Sequence, residues 1–234
     1  MSNLTVNQSK QTARLAGLLY LVLAVLGYFG FLYVPEFLVV PGDMAATVNN
    51  IAASESMYRL SMVSTLMMNI VSIVIVLLLY KLLKPIGKTL AEYMVAFLLI
   101  GAGISMINEV NHFAALTLSS ADASSVFTAL QTQFLVQLFL DMQEFGAYIA
   151  TIFWGLWLFP LGKLIIKSNY VPKILGVLLI VAGIGYLIDS ALLFLAPQFG
   201  ITITDYTSIG EILFLLWLLI KGVDVEKGIQ NEFE

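Results

Sequence analysis

The sequence predicts an all-α membrane protein, a six-helix transmembrane bundle, with three repeated helical hairpins as one arrangement it allows. Three observations predict it. Of 234 residues, 60% are hydrophobic and only 11% are charged, whereas a soluble domain carries about 25% charged residues. Several apolar runs reach or approach the ~20 residues needed to cross ~30 Å of hydrocarbon. The basic residues also crowd into alternate loops, the pattern that fixes orientation in a membrane.

Composition also removes several kinds of chemistry. There is no cysteine, so no disulfide, thiolate nucleophile, cysteine-ligated zinc or iron–sulfur cluster is expected. One histidine excludes a bis-histidine haem within one chain. The net charge of −4 is small, and no basic patch points to nucleic acid. No cofactor is expected from composition, and the partners implied are membrane lipids.

The spans follow in order. Span one is predicted over 14–34. It is longer than the apolar core of a signal peptide and ends in Tyr28, Phe29, Phe31 and Tyr33 rather than small residues, so it is read as retained, with Pro35 stopping it. Residues 35–56 read as a polar loop. Span two is 57–83, and span three is 91–118. The stretch 119–125, SSADASS, is a turn and helix-start signal, because Ser and Asp accept hydrogen bonds from free backbone N–H groups. Residues 126–138 are amphipathic and either lie at the interface or extend span four, 138–161, outward. Span five is 171–196, ended by Pro197, and span six is 206–220. All six prolines fall at predicted span ends or in loops, as helix geometry prefers.

The whole chain, 1–234, is read as a single domain. One side of the membrane then holds Lys10, Arg14, Lys81, Lys84, Lys88, Lys163, Lys167, Lys173, Lys221 and Lys227; the other holds only Arg59. The bias predicts a multi-pass protein of the cell inner membrane with both termini cytoplasmic. A weak match suggests three copies of a two-helix hairpin, against the alternative of chance similarity between apolar spans that share a small alphabet. LLIGAGISMINE at 98–109 matches LLIVAGIGYLID at 178–189, setting Glu109 opposite Asp189.

The polar residues inside the spans are the candidate site. Asn108, Glu109, Asn111 and His112 fall within five positions of span three. At a rise of ~1.5 Å per residue, Glu144 and Asp189 lie near the outer boundary, Glu211 lies near the midplane, and Arg59 marks the outer surface. An ionisable residue at such depth is costly and reads as functional by default. The expectation is one acidic cavity in the outer half, lined by Asn108, Glu109, His112, Glu144, Asp189 and Glu211, with Arg59 as counter-ion at its mouth. Each residue has a structural alternative. His112 serves equally as a neutral interface histidine, Glu109 as a snorkelling acid, and Arg59 as a boundary residue with its head in water. The glycines Gly101, Gly103, Gly146, Gly176, Gly183 and Gly185 read as close-packing surfaces.

The residues RLAGLLYL at 14–21, Arg59 at the start of span two, LFPLGKLI at 158–165 and YVPKILGVLLIVAGIGYLID at 170–189 resemble a bacterial family of six-span membrane proteins known as a domain of unknown function, DUF4386. The resemblance implies six spans and an inner-membrane location, and it carries no activity or catalytic residue. The acidic excess favours binding or transport of protons or of a small cationic or polar ligand. A metal-assisted intramembrane hydrolase is the alternative, with His112 and two or three carboxylates holding zinc, but there is no HExxH and no second histidine. A non-catalytic membrane partner or stress-response component is the third reading.

Overall fold

The computed structural model describes residues 5–120 and 122–225. Lys227, counted in the charge pattern, lies outside the described residues. The described chain is helix, turn and loop, without a strand. Its elements are α1 Val6–Gly27, a π-helical segment Tyr28–Tyr33, α2 Val34–Leu38, α3 Met44–Ala53, α4 Glu55–Leu83, α5 Lys88–Leu118, α6 Ala129–Leu156, α7 Leu158–Ser168, α8 Lys173–Leu195, α9 Thr204–Thr207 and α10 Ile209–Ile220.

Among the described residues, five helical runs are long and apolar enough to cross a membrane: Val6–Leu38, Glu55–Leu83, Lys88–Leu118, Ala129–Ser168 and Lys173–Leu195. The residues predicted as a sixth span fold as the one-turn α9 followed by the 12-residue α10.

Two local expectations are corrected, and a third that was left open is decided. First, Pro35 does not stop span one: the helical run continues to Leu38. The π-helical segment explains how. The Val34 N–H reaches the Phe29 carbonyl, five residues back, so the backbone is already widened where the proline ring would otherwise clash with the preceding turn. Pro160 likewise lies inside helix, near the start of α7, where a missing N–H is tolerated. Second, 35–56 is not an open loop. Asp43 caps α3 by accepting from the Ala46 N–H at 2.9 Å, and Thr47 and Ile51, one turn apart, are buried. Third, the amphipathic stretch before span four, read as interfacial or as an outward extension of that span, takes the second form: from Ala129 it is the continuous start of α6. Thr128 and Gln131 form its capping box, with the Thr128 N–H donating to Gln131 Oε1 at 2.9 Å.

Residue contacts divide the described residues into two compact units, one of 5–21, 71–102 and 148–225, the other of 22–70, 103–120 and 122–147. In the first unit α7 and the end of α6 pack on α8 through glycines. A Cβ built on Gly162 would lie 2.5 Å from the Gly176 carbonyl oxygen, and one on Gly155 2.9 Å from that of Gly183. The two glycine pairs share a seven-residue spacing on antiparallel helices, so the backbones touch twice along one seam. Gly101 and Gly185 are also contact points, against Trp154 and Thr207.

The second unit has its own apolar core of Val34, Leu38, Ile51, Tyr58, Ala115, Leu116 and Val136. Within it, α3 is tied down by Asn50 Nδ2, which donates to the Leu38 carbonyl at 3.1 Å. Gly146 lies against the Asn108 side chain, whereas Gly103 faces open space, so the close-packing expectation fails there.

Candidate functional site

In the first unit, Glu211 occupies the first turn of α10 and is half-buried. Glycines bring its neighbours to it. Gly17 lets α1 approach α10 so closely that a Cβ would lie 2.5 Å from the Leu219 backbone nitrogen, and Gly210 sets α10 against the Leu178 carbonyl on α8. Arg14 adds a tie across the first contact, its Nη2 donating to the Ile220 carbonyl at 3.1 Å. That cation at a helix C-terminus complements the dipole. With the helices fixed this way, two tyrosines meet the carboxylate. Tyr20 Oη donates to Oε2 at 2.6 Å, and Tyr186 Oη donates to Oε1 at 2.8 Å.

Both carboxylate oxygens therefore accept a phenolic hydrogen bond, and among the described residues Glu211 forms no ion pair. Hydrogen bonds to an ionised acceptor are about twice as strong as neutral ones, and they stand in for water here. The arrangement has two states. An ionised Glu211 accepts from both tyrosines. A protonated Glu211 must itself donate, so one phenol has to turn its hydrogen away.

Asp189, also in the first unit, is buried and used differently. Its carboxylate accepts from the Ile203 N–H at 2.7 Å, the Thr204 N–H at 2.8 Å and the Thr204 hydroxyl. It anchors the start of α9 from α8. Ser190 beside it donates to the Tyr148 and Tyr186 carbonyls.

In the second unit, Glu109 and His112 are buried and pair on one turn of α5, with Nδ1 3.0 Å from Glu109 Oε2. The Tyr58 ring meets the imidazole edge-on, centroids 5.5 Å apart. The Tyr58 hydroxyl is buried without a hydrogen-bond partner among the described residues. Asn108 Nδ2 donates to the Gln143 carbonyl at 2.7 Å, and Asn111 donates to Asn108 Oδ1. Asn69 donates to Ser105 Oγ at 3.0 Å.

Glu144 is exposed. Arg59 is exposed too and pairs with Glu55 on its own helix at 2.7 Å.

Within the first unit, Glu211 is held by its tyrosines and Asp189 by the amides at the start of α9; within the second, Glu109 pairs with His112. Sequence reading passed over Tyr20 and Tyr58. The available signal was that a tyrosine in an apolar run carries a hydroxyl that needs a partner. Among the described residues, no three His, Asp or Glu side chains are grouped so as to hold a metal ion.

Comparison with known proteins adds kinship. An uncharacterized protein of Archaeoglobus fulgidus is 33% identical over 162 residues, covering 69% of this chain and 83% of that protein. Its archaeal source means that such chains are not confined to bacteria. No solved structure matches. The DUF4386 family, described as a domain of unknown function, matches residues 15–222. With that match and its long apolar helices, the chain is a multi-pass membrane protein belonging to the DUF4386 family.

Proposed function

We propose that the protein binds or carries protons, or a small cationic or polar ligand such as an amine, with Glu211 as the exchanging group. One observation supports this most: both Glu211 oxygens are held by neutral donors, Tyr20 and Tyr186, and no cation pairs with it among the described residues. A carboxylate in an apolar setting without a cation favours uptake of positive charge. The phenols can follow that change by rotating their hydroxyls, with no movement of the helices. Glu109 and His112 are a second titratable pair in the same reading, and Asn108, Glu144 and Asp189 are its remaining polar residues. Arg59 is the cation that reading sets at the outer surface.

The same reading takes the chain as one six-span domain of the inner membrane, with three hairpins in repeat and both termini cytoplasmic. Residues 204–220 rise about 25 Å at ~1.5 Å per residue, close to the ~30 Å of the hydrocarbon core, so α9 and α10 together serve as the sixth span. The ten-to-one division of basic residues supports an even number of crossings.

The test is flux. Purified protein in liposomes carrying an internal pH dye is given a proton gradient, then a methylammonium gradient. The wild type should dissipate one of them, and Glu211→Gln should not. Wild-type liposomes indistinguishable from protein-free ones under both gradients would overturn the proposal.

A further inference from the structure

We propose that a groove in the first unit, between α5 and the α6–α7 junction, is a binding site for an anionic phospholipid. Its phosphate would be met by Lys163, and one acyl chain would lie along Phe97 and Leu156. The inference is independent of the Glu211 reading and rests only on the chain being embedded in a membrane.

The groove has a volume of about 270 Å³ and is lined by Leu90, Tyr93, Phe97, Leu156, Phe159, Pro160 and Lys163. The two walls run antiparallel. On α5 the lining residues go from Leu90, near the helix start, to Phe97. On the other wall they go from Lys163 back to Leu156. The polar end therefore holds Lys163, Leu90 and the exposed Tyr93, and the apolar end holds Phe97 and Leu156. From Lys163 to Leu156 is a rise of about 10 Å, so the groove runs from the charged end well into one leaflet. Tyr93 and Phe97 have ring centroids 6.4 Å apart, forming an aromatic wall against which methylenes pack.

Charge picks the headgroup. Lys88 is paired with Glu92 at 3.8 Å, and Lys84 lies over the Tyr80 ring, 5.3 Å from its centroid. Lys163 is exposed and makes no ion pair among the described residues. It is thus an unneutralised cation at the mouth of an apolar groove. A phosphate-bearing lipid with net negative charge matches both features. A zwitterionic lipid brings its own cation to the same place and gains less. Basic pockets between membrane helices recognise anionic headgroups on this principle.

The test is native mass spectrometry of the full chain in detergent, with equimolar phosphatidylglycerol and phosphatidylcholine of identical acyl chains. The wild type should retain phosphatidylglycerol in preference by about fivefold, the effect of one lysine at the headgroup. Lys163→Gln should abolish the preference, and Lys163→Arg should keep it. Leu156→Trp, which fills the apolar end, should reduce retention of both lipids. Lys173→Gln, away from the groove, should change nothing. Equal retention of the two lipids by the wild type would overturn the proposal. So would a preference unchanged in Lys163→Gln, or a dimer that Leu156→Trp abolishes, since a second copy would then be the occupant.

Discussion

Tyr20 donates its hydroxyl to Oε2 of Glu211 at 2.6 Å, across 191 positions of sequence. The bond joins α1 to α10, and Tyr186 completes it from α8. A hydrogen bond to a charged acceptor contributes about 1.5–3 kcal/mol. Tyr20→Phe and Tyr186→Phe should each lower thermal stability in detergent by about that much while Glu211 stays ionised. In Glu211→Gln the same tyrosine substitutions should cost less, because the acceptor is neutral. A double-mutant cycle checks it: zero coupling between position 20 and position 211 would mean that the bond adds nothing.

The approach of α1 to α10 rests on Gly17. A Cβ there would lie 2.5 Å from the Leu219 nitrogen and 2.8 Å from its Cα. Both are backbone atoms, which cannot rotate away as a side chain can, so the helices must separate. Gly17→Ala should therefore destabilise by about 1–3 kcal/mol, the usual cost of overpacking. Gly103→Ala is the control. Nothing lies within 4 Å of its Cβ, so it should be neutral or gain up to about 1 kcal/mol of helix propensity. Thermal unfolding of the two variants side by side decides the point.

Much of this architecture is legible in sequence, and the limits have physical causes. Glu211 stands out because an acid in an apolar run is costly. Tyr20 does not, because tyrosine is ordinary in such runs and its partner lies on α10, 191 positions away. The α3 helix is concealed by its polarity, although Asp43 followed by Thr47 and Ile51 is a cap with buried residues one turn apart. Pro35 misleads because a proline inside an α-helix normally clashes, and a π-helical turn is not encoded by any simple period. Gly103 misleads because small residues mark close approach only where a neighbouring helix is there to approach. Asp189 reads as a deep acid of the same kind as Glu211, yet backbone amides from α9 saturate it. Depth along a helix can be counted from sequence, but the donors a distant loop supplies cannot. The pairing of Arg59 with Glu55 at i, i+4 is, by contrast, readable directly.

The Tyr58 hydroxyl is buried with no hydrogen-bond partner among the described residues. Its ring is retained in Tyr58→Phe, so packing on His112 survives and only the unsatisfied group is lost. Leaving such a group buried costs about 1–3 kcal/mol, and Tyr58→Phe should gain stability of that order. A loss of stability instead would mean that the hydroxyl is hydrogen-bonded in the folded protein in the membrane, which thermal unfolding in lipid nanodiscs would reveal.

The proposed orientation, with both termini cytoplasmic, predicts labelling. Cysteines placed at Ser120 and Gln198, both exposed, should react with an impermeant maleimide added to intact cells. A cysteine at the exposed Lys167 should react only after lysis; Ser168 beside it is 2% exposed and is no probe. Labelling of Lys167→Cys in intact cells would reverse the assignment of sides.

The most direct test of the central claim, that Glu211 exchanges positive charge while held by two phenols, is infrared difference spectroscopy of the reconstituted protein across a pH titration. The account predicts a carboxylic-acid carbonyl band that grows reversibly as pH falls. That band should be absent in Glu211→Gln and displaced in both Tyr20→Phe and Tyr186→Phe, because each removes one partner of the carboxyl group. A difference spectrum unchanged by Glu211→Gln would contradict the account and leave the Tyr20–Glu211–Tyr186 triad as a structural tie between helices.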